Sequence, residues 1–173
     1  NIIDQIKDLG VKAIVFTGGG EPLCNKYTVE AINYAKKKGL DVALTTNLGL
    51  PLTEKQMETL LRSCTWVRVS LDGGTSEVYA KTHGVDKKNF DKVVENTRKL
   101  VEIKKKIKSD CTIGVGFLTS ELTKGGMLDA TKLSKEIGVD YIQFRPFLKK
   151  FGEGGKDYEK TRWVYDEIEK CLK

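Results

Sequence analysis

Apolar residues recur along the chain at two spacings, and the alternation between those spacings sets the expected order of elements. Ile2, Ile3, Ile6 and Leu9 mark the last turns of an amphipathic helix closed by Gly10. Residues 11–16 form a short apolar run with β-branched members, a strand, followed by the loop Thr17-Gly18-Gly19-Gly20-Glu21-Pro22. A helix is expected over 28–38, stopped by Gly39, then a strand over Asp41–Thr46 and a loop over 47–51. Thr53 caps a helix reaching Arg62, residues 66–71 form a strand, and Asp72-Gly73-Gly74 is a loop. Between 89 and 107, Phe90, Val93, Val94, Leu100, Val101 and Ile107 lie at helical spacing among lysines and glutamates. A strand over 111–118, a helix over Met127–Ile137 stopped by Gly138, a strand over 141–145 ahead of Pro146, and a helix over 156–171 complete the chain.

Five strands alternating with helices, each short and apolar enough to be buried on both faces, predict a parallel sheet with crossover helices on its outside. A doubly wound sheet needs a long connection where its strand order reverses, and the sequence contains none. Right-handed crossovers joining each strand to its predecessor curl a sheet towards a barrel. The expected fold class is therefore α/β, a partial (β/α) TIM-like barrel with parallel strands and outer helices, in one domain over residues 1–173.

Composition changes this picture little. The hydrophobic fraction is 39% and the charged fraction 31%, and no apolar run approaches the roughly 18 residues of a membrane span. The four cysteines, Cys24, Cys64, Cys111 and Cys171, are scattered and no leader precedes the first helix, so a reducing cytoplasm is the expected compartment. A net charge of +6 would suit an acidic partner such as RNA, but many lysines fall on helix faces, where a solvated surface accounts for them.

Candidate chemistry gathers where strands end, the ligand-binding side of parallel α/β folds. There lie the Gly-Gly-Gly-Glu-Pro loop, Thr45-Thr46-Asn47, Ser70-Leu71-Asp72-Gly73 and Phe144-Arg145-Pro146. Three glycines let backbone approach a ligand, Glu21 offers a negative charge to a cation such as an ammonium, and Pro22 restricts Glu21 to extended geometry. A tight turn carrying an exposed glutamate remains an alternative; a phosphate cradle lacks its Gly-Lys-Ser/Thr ending.

The run from Thr17 to Leu23 resembles the Gly-Gly-Glu-Pro motif of radical S-adenosylmethionine enzymes. Val67 to Gly73, with Tyr79 and His83-Gly84 behind it, is similar to that family's fourth strand and following helix. The resemblance extends in order to Ile113-Gly114-Val115-Gly116 and Tyr141 to Pro146. It implies that Gly18, Gly19, Gly20, Glu21 and Pro22 hold the methionine amino group of S-adenosylmethionine. Ser70 and Asp72 would contact its carboxylate or ribose, and Thr46 and Asn47 would stand near the sugar and carboxylate. The backbone at Val115 would line the adenine pocket, and Phe144 and Arg145 would close its adenine side, with Arg145 also able to face substrate or the cofactor carboxylate. No catalytic residue and no metal ligand is assigned.

The family's CxxxCxxC loop, which supplies three thiolates to a 4Fe-4S cluster, has no counterpart here. The resemblance then implies an excerpt whose first strand and cluster loop are absent and which is inactive alone; a cluster-less relative is the other explanation. The intact enzyme would reductively cleave S-adenosylmethionine to a 5'-deoxyadenosyl radical that abstracts hydrogen from a substrate. Peptide, protein, RNA, small metabolite and a partner glycyl-radical enzyme all stay open as substrates. Two other function classes remain: a non-catalytic module for a nucleotide-like ligand, and a metabolic barrel enzyme for a phosphorylated substrate.

Other conspicuous residues have plain structural readings. His83 is expected either on the surface or anchoring a loop, Cys24 to be small packing material near a helix start, and Cys64, Cys111 and Cys171 to be buried. Trp66 and Trp163 are expected in core or interhelical contacts. The glycine-rich segment 149–156 is a substrate lid or a linker to the last helix.

With a preceding strand absent, the strand at 11–16 would leave an unpaired edge able to recruit another chain. The chain is therefore expected to self-associate; a strictly monomeric sedimentation profile at high concentration would overturn this.

Overall fold

The computed structural model describes residues 1–146 and 163–172, so the segment 149–156 and the expected start of the last helix lie outside the described residues. The elements run α1 (Ile2–Asp8), β1 (Ala13–Phe16), a 3-10 turn (Pro22–Cys24), α2 (Thr28–Lys37), β2 (Asp41–Thr46), α3 (Glu54–Ser63) and β3 (Trp66–Ser70). They continue with α4 (Ser76–His83), α5 (Lys88–Ile107), β4 (Thr112–Thr119), α6 (Met127–Ile137), β5 (Tyr141–Pro146) and α7 (Trp163–Leu172). Local signals placed most boundaries to within two residues. Thr53 and Gln56 form the reciprocal capping box that opens α3, and Gly39 and Gly138 end α2 and α6 with φ of +78° and +83°.

The five strands are all parallel and lie in the order β1-β2-β3-β4-β5. Each strand pairs with its predecessor, so every crossover carries its helix to the same side. This is the α/β, partial-barrel arrangement of parallel strands and outer helices that the element order predicts. Successive helices touch, α2 with α3, α3 with α5, α5 with α6 and α6 with α7, forming an outer layer.

Strand alternation sorts side chains between two faces. Val42, Leu44, Val67, Val69, Leu71, Ile113 and Val115 point to the helices and are buried there with Ile32, Leu60, Val93 and Leu100. A second cluster of Phe117, Met127 and Ala130 receives Phe144, Trp163, Val164 and Ile168, so α7 completes the outer layer at the β5 end. Trp163 thus makes the interhelical contact expected of it.

The expectation of strands buried on both faces fails at β1 and β5, whose residues alternate between half-buried and exposed. Both strands are sheet edges, and the face opposite the helices is uncovered by any described element. Val15, on that open face, is 46% exposed. Trp66 also stands there, half-buried, and not between helices. At α1, Ile3 and Ile6 turn to the core but Ile2 and Leu9 are 72% and 83% exposed. Two helical turns present only one face to the edge of the sheet, too narrow for all four apolar residues.

One close approach locks the β3 side of the fold to α6. A Cβ added at Gly74 would lie 2.4 Å from the Ala130 backbone nitrogen and 2.6 Å from Asp129 Cβ. Neither neighbour can swing aside, because α6 is already packed against the sheet. Gly74→Ala is expected to cost about 1–3 kcal/mol through overpacking, seen as a fall of several degrees in Tm; an unchanged melting curve would contradict it.

Candidate functional site

Glu21 is held by more than its proline. It is extended (φ −76°, ψ 117°) and caps the 3-10 turn, its Oε1 accepting from the Leu23 backbone N–H at 3.0 Å. Thr46 Oγ1 donates to the same oxygen at 2.6 Å, and the Asn47 backbone N–H donates to Oε2 at 2.6 Å. One carboxylate therefore ties the carboxyl ends of β1 and β2. A carboxylate offers about four lone-pair sites, so three internal donors leave room for about one more.

No such internal contact explains the glycines before it. Ideal Cβ atoms at Gly19 and Gly20 meet nothing within 4 Å, and Gly18 meets only Gly20 backbone at 4.0 Å. None of the three has a positive φ. The fold itself would accept a Cβ at each, and the absence of one leaves clear space beside Glu21. A cavity of about 590 Å³ between β1 and the start of α2 has Gly20, Glu21 and Pro22 in its wall.

Thr46 and Asn47 serve the loop from inside. Thr46 is 2% exposed on the helix-facing side, and its oxygen also accepts from Leu48 N–H at 2.9 Å. Asn47 Oδ1 accepts from Gly49 N–H at 2.9 Å. Leu48 is buried at φ +52°, an unusual conformation for a bulky residue. It is held there by Asn96 of α5, whose Nδ2 donates to the Leu48 and Leu50 carbonyls at 2.8 and 3.2 Å. Sequence reasoning passed over Asn96; the available signal was a polar residue adjoining the apolar stripe of the longest helix.

The β3 end is built around Asp72, 7% exposed and also left-handed at φ +47°. Its Oδ1 accepts from the Leu118 backbone N–H at 2.6 Å, joining β3 to β4. His83 Nε2 lies 3.7 Å from Oδ2 and 3.4 Å from the Leu71 carbonyl, and its ring stacks on Tyr79 at 4.3 Å. His83 is thus a loop anchor, one of its two expected roles. Burial pushes the Asp72 carboxyl above the usual carboxylate range, against the opposing pull of the Leu118 N–H, His83 and Arg145. Strained backbone at both Leu48 and Asp72 coincides with the two strand ends that carry candidate residues.

The remaining candidates separate. Ser70 is half-buried and Arg145 exposed, both on the open face by strand alternation. Val115 is buried against the helices, so only its backbone is available to that face. Phe144 also points to the helix layer, edge-on to Phe117 at 5.3 Å, and its side chain is structural support. Its register opposite Phe117 carries it to the face away from Ser70.

The cysteines do not fit a metal cluster. Cys64 and Cys111 are buried beyond the amino ends of β3 and β4, where burial pushes their thiols up to about 12 and about 11. Cys171 is half-buried on α7. Cys24, read from sequence as packing material, is exposed, because the 3-10 turn directs it away from the core. Among the described residues no group of three His, Cys, Asp or Glu side chains could hold a metal ion.

The sequence model of the Radical SAM superfamily matches residues 1–122, and the chain belongs to that superfamily. A probable GTP 3',8-cyclase of Saccharolobus islandicus is 27% identical over 168 residues, covering 95% of this chain and 51% of the relative. The dTDP-4-amino-4,6-dideoxy-D-glucose ammonia-lyase of Streptomyces venezuelae is 27% identical over 154 residues, covering 84% of this chain and 31% of the relative. Among solved structures, Streptococcus suis SuiB bound to S-adenosylmethionine superposes with a TM-score of 0.68 at 16% identity, over 99% of this chain and 38% of that one. The last likeness is one of fold. This chain spans about half the length of the first of these relatives.

The shifted Asp72 carboxyl has a definite consequence for stability. Its folded pKa lies above the unfolded value of about 3.9, so protonation favours the folded chain. That contribution is complete below the unfolded pKa and is lost as pH rises through the folded one. Asp72→Asn retains an acceptor for the Leu118 N–H without the titration. The stability of the parent relative to Asp72→Asn should therefore fall as pH rises above about 4 through the folded pKa, measured by urea midpoints; parallel pH curves would overturn the assignment.

Proposed function

We propose that this chain is the S-adenosylmethionine-holding part of a radical SAM enzyme. The observation that carries the reading is the clear space over Gly19 and Gly20 beside a carboxylate that retains capacity for one more donor. Glu21 accepts from the methionine ammonium, while Gly18, Gly19 and Gly20 admit it against bare backbone. Pro22, Thr46 and the Asn47 amide hold that carboxylate in place. Ser70, Asp72 and Arg145 stand on the side of the carboxylate and ribose, and the Val115 backbone, with Phe144 supporting it from behind, lies on the adenine side.

In the intact enzyme, bound S-adenosylmethionine supplies on reductive cleavage a 5'-deoxyadenosyl radical for hydrogen abstraction from the substrate. The thiolates of a 4Fe-4S cluster are not among these residues, so the chain alone is expected to release no 5'-deoxyadenosine under dithionite. Two relatives are named for nucleotide substrates, GTP and a dTDP-sugar. That favours a small anionic metabolite over peptide, protein or RNA as the substrate.

Equilibrium dialysis with labelled S-adenosylmethionine tests the site. Glu21→Gln removes one charge-assisted hydrogen bond and should weaken binding by about 10- to 100-fold. Gly19→Ala, whose Cβ meets no atom of the fold within 4 Å, should weaken binding at least about tenfold while leaving Tm unchanged. Undiminished binding by both variants would refute the reading.

A further inference from the structure

The open face of the sheet holds a second arrangement, away from the strand-end residues. Arg68 stands at the middle of β3, facing a strip of β4 where glycines replace side chains. A Cβ on Gly114 would fall 2.1 Å from the Tyr141 ring, and one on Gly116 would fall 3.1 Å from Arg68 Cδ. The tyrosine ring and the arginine stem therefore lie flat across bare backbone. Arg68 Nε donates to Tyr141 Oη at 3.2 Å, and the guanidinium carbon sits 4.8 Å from the centroid of the Trp66 ring.

These contacts fix the planar fork without neutralising it. Its terminal Nη groups donate to no described residue, and Arg68 enters no ion pair among the described residues. Asp41, the carboxylate that strand alternation puts on this face, stands at the start of β2 and is more than 4.0 Å from it. A half-buried cation held on aromatic surfaces, with its bidentate edge unused among the described residues, is built for a planar or tetrahedral oxyanion.

We propose that Arg68 is the anion anchor of the substrate, taking a carboxylate or phosphate through its free Nη edge. Ser70 follows two residues later on the same face, roughly 7 Å towards the strand ends. An anion on Arg68 thus leaves the rest of a small molecule beneath Ser70 and Asp72. Gln143, the register partner of Gly116, is exposed on this face and supplies a neutral amide donor beside the anion. The role as substrate anchor rests on the function proposed above; the anion site itself does not.

The test uses the full chain in a Trp163→Phe background, where Trp66 is the remaining indole. Pyrophosphate and citrate are titrated separately against its fluorescence, and S-adenosylmethionine binding is followed by dialysis. Saturable quenching by either anion supports the site, pyrophosphate alone assigning a phosphate and citrate alone a carboxylate. Arg68→Gln should weaken that binding at least about tenfold, with S-adenosylmethionine affinity and Tm unchanged. Gly116→Ala, which displaces the stem but keeps the charge, should weaken it too. Neither anion quenching, variants that bind as the parent does, or joint loss of anion and S-adenosylmethionine binding would each overturn the proposal. Arg68-dependent anion binding in a parent that does not bind S-adenosylmethionine would defeat the cofactor reading and leave the anion site standing.

Discussion

A parallel strand sends alternate side chains to opposite faces, and in this chain the described helices cover only one of them. Everything else follows from that asymmetry. The helix-facing positions of β2, β3 and β4 are mostly Val, Leu or Ile, and their burial holds the sheet together. The opposite positions of β2, β3 and β5 include Thr45, Trp66, Arg68, Ser70, Gln143 and Arg145, side chains that keep polar groups or aromatic surface available there.

Glu21 shows how such a surface is kept rigid at its border. Parallel strands end without a hairpin to join them, so their carboxyl ends are tied by side chains. The Glu21 carboxylate joins β1 to β2 through Thr46 and Asn47, and the Asp72 carboxylate joins β3 to β4 through the Leu118 amide. Both acids serve structure, Glu21 through most of its hydrogen-bonding capacity and Asp72 through the Leu118 amide with His83 beside it. What they offer a ligand is the remainder, in a fixed direction.

The fold was largely legible in the sequence because periodicity, caps and glycine stops are local signals. Thr53, Gly39 and Gly138 act through neighbours a few residues away, and they placed their helices well. Facing was harder to read. Thr46 and Phe144 belong by position to strand ends, yet strand parity turns both side chains to the helices, and parity depends on a register that a single strand does not specify. The support given by Asn96 to the loop after β2 spans 48 residues. Cys24 and Ile2 were misplaced for a related reason, since composition says what a residue prefers but not whether a neighbouring element has room for it.

Net charge is a poor guide to where this molecule is electrostatically active. Many of its cations lie on the helix layer, where Lys87, Arg98, Lys99 and Lys106 pair with exposed carboxylates in contacts that solvent screens. The open face carries far fewer charges, but they are differently placed. Arg68 is backed by aromatic rings and lacks a counter-ion among the described residues, and Arg145 lies near enough to lower the acidity threshold of buried Asp72. A half-buried setting against aromatic rings gives the Arg68 guanidinium a stronger field towards solvent than the exposed, paired lysines of the helix layer have. The excess of +6 is thus largely carried on the solvated helix layer, and Arg68 and Arg145 stand apart from it on the bare side of the sheet.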